Sequence, residues 1–185
     1  MATPTTSTIE VQVEKVGQLF DTLDPLPFRE RDLDRHAEDY IVGWARELPR
    51  NAPIRLLVHL PASEASGEHA LLLEEAMHRY FHYRAAAASG DLKELLRVGR
   101  YSLLVGLAVL AMCVVGGRFV LSSVSAGHLG GFLNEGLVIL GWVANWRPIE
   151  IFLYDWWPII RRRNLFLRLA SAEVVLSPKP NPAAV

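Results

Sequence analysis

The sequence predicts an α+β membrane protein: a small cytoplasmic βαβα domain, with a third strand offered by the C-terminal region, plus a two-helix transmembrane hairpin. Three observations carry this prediction. Residues 101–160 are overwhelmingly apolar, whereas charged and mixed sequence precedes them and Arg, Lys and Pro return afterwards. Strand-period and helix-period patterns alternate between residues 7 and 88. Basic residues gather at the two outer ends of the apolar region. A formal net charge of −1 over 185 residues argues against a nucleic-acid surface or a polybasic tether.

The elements follow in order. Residues 1–6 are expected to be disordered, and 7–90 to form the cytoplasmic α/β domain. "STIEVQVEKV" (7–16) alternates Ile9, Val11 and Val13 with Glu10, Gln12 and Glu14, the pattern of a half-buried strand. In "RDLDRHAEDYIVGWARELP" (31–49), Leu33, Ala37, Tyr40, Ile41, Trp44 and Leu48 form one helical stripe, stopped by Pro49. "PIRLLVHLP" (53–61) reads as a second strand. A helix from about Ser66 to Ala88 is expected to break at Ser89-Gly90, and Asp91-Leu-Lys-Glu94 fits a capping box that restarts it as a juxtamembrane helix over 91–100. After the apolar region, 161–176 supply a cytoplasmic helix and, through "AEVVL" (172–176), the third strand, with 177–185 disordered. Strand–helix–strand spacing favours a parallel pair. So thin a sheet leaves poorly covered edges, which predicts a homo-oligomer.

The first transmembrane helix is placed at 101–124, the external loop at 125–135, and a kinked second helix at 136–160. Tyr101–Gly117 are 17 uncharged residues, the lower limit for crossing about 30 Å of hydrocarbon. Lys93, Arg97 and Arg100 precede the first span, and Arg161, Arg162, Arg163 and Arg168 follow the second; only Arg118 lies toward the loop. Seven against one places both termini in the cytoplasm, in agreement with an amino end that lacks the features of a secretory signal. In the preferred register Trp156 and Trp157 form an inner aromatic belt, and Arg147 lies close to mid-depth. A competing register ends the span at Trp146 and lays 148–160 along the interface, because Pro148 removes a helix hydrogen bond.

An arginine and a carboxylate within such a span need a physical reason. Arg147 and Glu150 stand at i, i+3, where they can neutralise each other, and Tyr154 shares that face in an undistorted helix. This intramembrane polar face fits an ion-paired helix contact or an ion path. Gly99, Ser102, Gly106, Cys113 and Gly117 lie along one face of the first span, a spacing that permits close helix approach. Trp156, Trp157, Arg161, Arg162 and Arg163 are headgroup anchors. In "EEAMHRYFHYR", Glu74, His78 and His82 recur every fourth residue and could supply part of a metal site, although a solvated helix face is the simpler and favoured explanation. No other cofactor is implied. The lone cysteine, Cys113, leaves no intrachain disulfide, and phosphate-loop, G-x-S-x-G, H-E-x-x-H and C-x-x-C patterns are missing.

Through "WRPIEIFLYDWWP", with "HRYFHYRA" upstream, the chain resembles a family of bacterial two-span inner-membrane proteins over most of residues 30–170. The resemblance implies that location and brings no activity, ligand or site. The expected function is therefore a non-enzymatic, homo-oligomeric scaffold or accessory subunit. Its partners would be copies of itself, membrane lipids and another membrane protein. An oligomeric ion or proton channel using Arg147 and Glu150 is the alternative, and a membrane-bound metalloprotein the third.

Overall fold

Alternation along three short strands decides which side of the sheet is covered. The computed structural model describes residues 7–49, 52–65, 67–123 and 128–178, so the expectations for 1–6 and 179–185 lie outside the described residues. β1 (Ser7–Gln12), β2 (Ile54–Leu60) and β3 (Glu173–Pro178) form a parallel sheet in the order β1-β2-β3. The register stacks Ile9, Leu56 and Val174 in one row and Val11, Val58 and Leu176 in another on the same face. In β2, Ile54, Leu56, Val58 and Leu60 are buried and the residues between them are not, so one face carries the core. Each such side chain contributes about 1.5–3 kcal/mol by leaving water. The opposite face is mixed: Leu57 pairs with Val175 at its centre, flanked by Arg55, which meets Glu173 at 2.8 Å, and His59, which lies 3.5 Å from Glu10. Parallel sheets are usually covered on both faces. This one is not.

Helices α1 (Arg35–Glu47), α2 (Ala62–Ala65), α3 (Glu68–Ser123), α4 (His128–Ala144), α5 (Trp146–Glu150) and α6 (Trp156–Ala170) complete the order, with a π-helical turn at Ile151–Asp155. The chain divides into two compact units, residues 1–87 with 161–185, and residues 88–160. In the first, α1 starts where the Asp34 carboxylate accepts the N–H groups of His36 and Ala37. Its buried residues are Ile41, Val42 and Ala45, while Tyr40 and Trp44 are about half exposed. The face is thus rotated from the expected stripe, because Glu38 turns inward to bond Tyr80 and Arg84 of α3. Phe81 of α3 stacks on Phe166 of α6, and Arg168 of α6 donates to the carbonyls of Pro49 and Ala52. The third strand is present and extends through Pro178, two residues into the tail expected to be disordered.

Two other expectations change. α3 is unbroken through Ser89-Gly90, because no glycine in the described residues takes a positive φ and the flanking alanines and leucines favour helix. Residues 128–135, expected as loop, already belong to α4. A Cβ added at Gly90 would meet nothing within 4 Å. Gly90→Ala should therefore stabilise the protein by about 0.5–1 kcal/mol and raise its thermal midpoint in detergent. A lowered midpoint would show instead that Gly90 serves as a hinge.

Between β1 and α1, Asp24 organises the loop by accepting the N–H of Asp32 at 2.8 Å and that of Leu26 at 3.0 Å. These two bonds hold its carboxyl below the ordinary value of 3.8. The folded chain therefore binds this proton less readily than the unfolded chain. The stabilisation is present above pH 3.8 and is lost as the pH falls through the lower folded value. Asp24→Asn should be less stable than wild type at pH 7, and their denaturation midpoints should converge as the pH drops below 3.8.

Candidate functional site

Residues 88–160 form an antiparallel helical hairpin whose contacts run through glycines. A Cβ at Gly99 would come within 2.8 Å of Ile151 Cγ2, one at Gly106 within 2.7 Å of Asn145 Oδ1, and one at Gly117 would overlap the Asn134 amide. From the other side, a Cβ at Gly141 would lie 2.7 Å from Leu110 Cδ1 and 3.4 Å from Cys113 Cβ. Gly99, Gly106, Cys113 and Gly117 are the buried positions of this part of α3. Seven-residue steps of small side chains keep one seam facing a partner helix and let the backbones approach closely. The expected small-residue face is therefore the packing seam, apart from Ser102, whose hydroxyl donates to the Val98 carbonyl of its own helix.

The second arm breaks at Asn145. Pro148 has no N–H to offer the Ala144 carbonyl, so the helix cannot run through regularly. The Asn145 N–H turns to Trp142 O at 3.0 Å, which leaves the Gly141 carbonyl without its usual donor. The Asn145 side chain replaces it: Nδ2 donates to Gly141 O at 2.9 Å and, across the hairpin, to Gly106 O at 3.0 Å. Asn145 is the one buried polar residue among those described. Sequence reasoning missed it, although an asparagine three residues before a proline in an apolar run was the available signal.

Immediately beyond, Arg147 Nη1 lies 3.1 Å from Glu150 Oε2 and 3.1 Å from Asp155 Oδ2, and Trp146 Nε1 donates to Glu150 Oε1 at 3.2 Å. Asp155 takes the place expected for Tyr154. A π-helical turn winds fewer degrees per residue than an α-helix, so Ile151–Asp155 carry Asp155 beneath Arg147 and rotate Tyr154 outward, where it is 68% exposed. The expected kink thus consists of two distortions flanking Pro148. Because Asn145 faces Gly106 and Ile151 faces Gly99, this charge cluster lies level with the polar end of the uncharged run Tyr101–Gly117.

The other sequence candidates are placed separately. Trp156 and Trp157 stack at 6.3 Å, and Trp156 Nε1 donates to the Phe152 carbonyl. Arg162 lies over the Phe166 ring at 5.5 Å, and Arg163 Nε is buried without a hydrogen-bond partner. Glu74, His78 and His82 sit on α3, but His78 Nε2 is 2.8 Å from the Ala172 carbonyl. Among the described residues no three His, Cys, Asp or Glu side chains gather closely enough to hold a metal ion.

A further polar cluster, also missed, lies in the first unit. Glu38 accepts the Tyr80 hydroxyl at 2.9 Å and Arg84 Nη2 at 2.6 Å. Burial and the adjacent Glu38 carboxylate raise the Tyr80 pKa, so its hydroxyl stays a donor. Burial opposes the charge of Arg84, but its bond to Glu38 prevails and the guanidinium stays protonated. The cluster joins α1 to α3 and has every partner it needs.

Asn145→Ala should weaken the hairpin by about 0.6–1.7 kcal/mol, the range for hydrogen bonds between apolar helices. Asp155→Asn, which loosens an exposed ion pair, should cost less than about 1 kcal/mol. Unfolding of both variants in the same detergent compares them directly, and the reverse order would transfer the structural role to the charge cluster. In comparisons with known proteins, no family model, no curated protein and no solved structure matches the chain.

Proposed function

We propose that the chain is a non-enzymatic, two-span inner-membrane protein, with both termini cytoplasmic, that assembles with copies of itself as a scaffold or accessory subunit. The observation that carries this reading is the surface of the hairpin. Two helices are long and apolar enough to cross a membrane, yet only 17% and 22% of their most apolar windows are buried. A core helix of a water-soluble protein would be mostly buried. Here Leu104, Met112, Phe119, Phe132 and Trp142 are each more than 60% exposed, a surface suited to lipid or to neighbouring helices.

The seam register also bears on the charges. The second arm continues along α3 as far as Phe152, so with Tyr101–Gly117 taken as the apolar part of the first span, Arg147, Glu150 and Asp155 would lie toward its headgroup end. There an exposed ion-pair cluster is inexpensive and suits contact with lipid or a second subunit. In the first unit, β1 and β3 each leave an outer edge, and the second sheet face, with Leu57 and Val175 at its centre, is only half-buried. Pairing between copies would cover them.

An ion-conducting assembly is the second reading, favoured by the exposure of Arg147, whose side chain is 61% accessible. Cross-linking in native membranes, followed by mass measurement in mild detergent and in lipid discs, should yield a defined oligomer. A strict monomer in all three settings rejects the scaffold. Glu150→Gln with the same ion and proton flux as wild type in liposomes rejects the conducting form.

A further inference from the structure

The geometry points to a groove for the phosphate of an anionic phospholipid, formed by Lys93, Arg97 and Arg100 of α3 with Phe152 of the second arm. It rests on the membrane reading above. The three cations stand at i, i+4 and i+7, hence on one helix face, and all are exposed. With Leu96 and Phe152 they line a groove of about 410 Å³, far larger than a bare phosphate ion. Among the described residues none of the three has a carboxylate within ion-pair distance, whereas Glu150 and Asp155 are engaged by Arg147.

The shape has a local cause. Gly99 lets the second arm approach so closely that a Cβ there would lie 3.3 Å from Phe152 Cζ, and this sets the Phe152 ring against α3 beside the cations. Arg100 is also the last charged residue before the uncharged run Tyr101–Gly117. Guanidinium groups bind phosphate oxygens in a bidentate manner. The apolar wall of Leu96 and Phe152 serves no purpose for free phosphate but suits the glycerol and first acyl carbons of a lipid. The lipid is therefore the favoured source of the phosphate.

The test uses the full chain extracted from membranes and native mass spectrometry with phosphatidylglycerol or phosphatidylcholine of identical acyl chains. The anionic lipid should be retained selectively. Arg97→Gln and Arg100→Gln should each reduce retention roughly fivefold, as expected for one cation at a membrane surface. Phe152→Ala, which keeps every charge and so the insertion signal, should also reduce it, and Arg46→Gln on α1 should not. Equal retention of both lipids, unchanged retention in the Arg97, Arg100 and Phe152 variants, or complete displacement by millimolar inorganic phosphate overturns the assignment. Carbonate extraction separates the two levels. A chain washed from membranes removes the membrane reading and this groove with it, whereas an embedded chain without lipid preference removes the groove alone.

Discussion

The hairpin depends on one hydrogen bond, from the Asn145 amide to the carbonyl of Gly106. Pro148 creates the need by withdrawing a donor, the shifted Asn145 backbone passes the deficit to Gly141, and the Asn145 side chain meets it. The same amide can reach the opposite helix only because Gly106 has no side chain to hold the backbones apart. Proline, asparagine and glycine therefore act as one device. Leaving the Gly141 carbonyl without a donor in apolar surroundings is unfavourable, and the amide removes that cost while joining the two helices. The register is correspondingly well determined.

That register decides what the charges mean. With Asn145 opposite Gly106, the next turns of the second arm stand beside the polar end of the first, where arginines already cluster. The stretch "WRPIEIFLYD" looks like a flawed span only when read as a continuous helix. The π-helical turn brings a second carboxylate, Asp155, to the guanidinium that Glu150 already engages, so the cluster carries one net negative charge beside a helix face that is positive. Among the described residues Lys93, Arg97 and Arg100 make no ion pair with those carboxylates, which Arg147 engages.

Periodicity made much of this legible. Ile9, Val11 and Val13 announce a half-buried strand, the proline-bracketed 53–61 a second, and "AEVVL" the third. Gly99, Gly106, Cys113 and Gly117 announce a seam, since small residues at those spacings have few other uses. What stayed hidden depends on departures from ideal geometry or on two distant elements. Asp155 joins Arg147 only after a π turn changes the angle per residue. The buried face of α1 shifts because Glu38 meets Tyr80 and Arg84 from a helix far along the chain. Ser89-Gly90 resembles a helix stop, yet a glycine breaks a helix only when its surroundings call for another conformation, and here none do.

The topology gives the hairpin a second consequence. β3 pairs with β2 in parallel, but residues 61–172 lie between them, including both arms. Joining strands across so long a segment would be slow and entropically costly if the segment were flexible. A helical hairpin changes that cost, because an antiparallel pair of equal arms returns the chain to the side from which it left. Closing the seam at Gly106 and Asn145 thus shortens the effective loop that β3 must close.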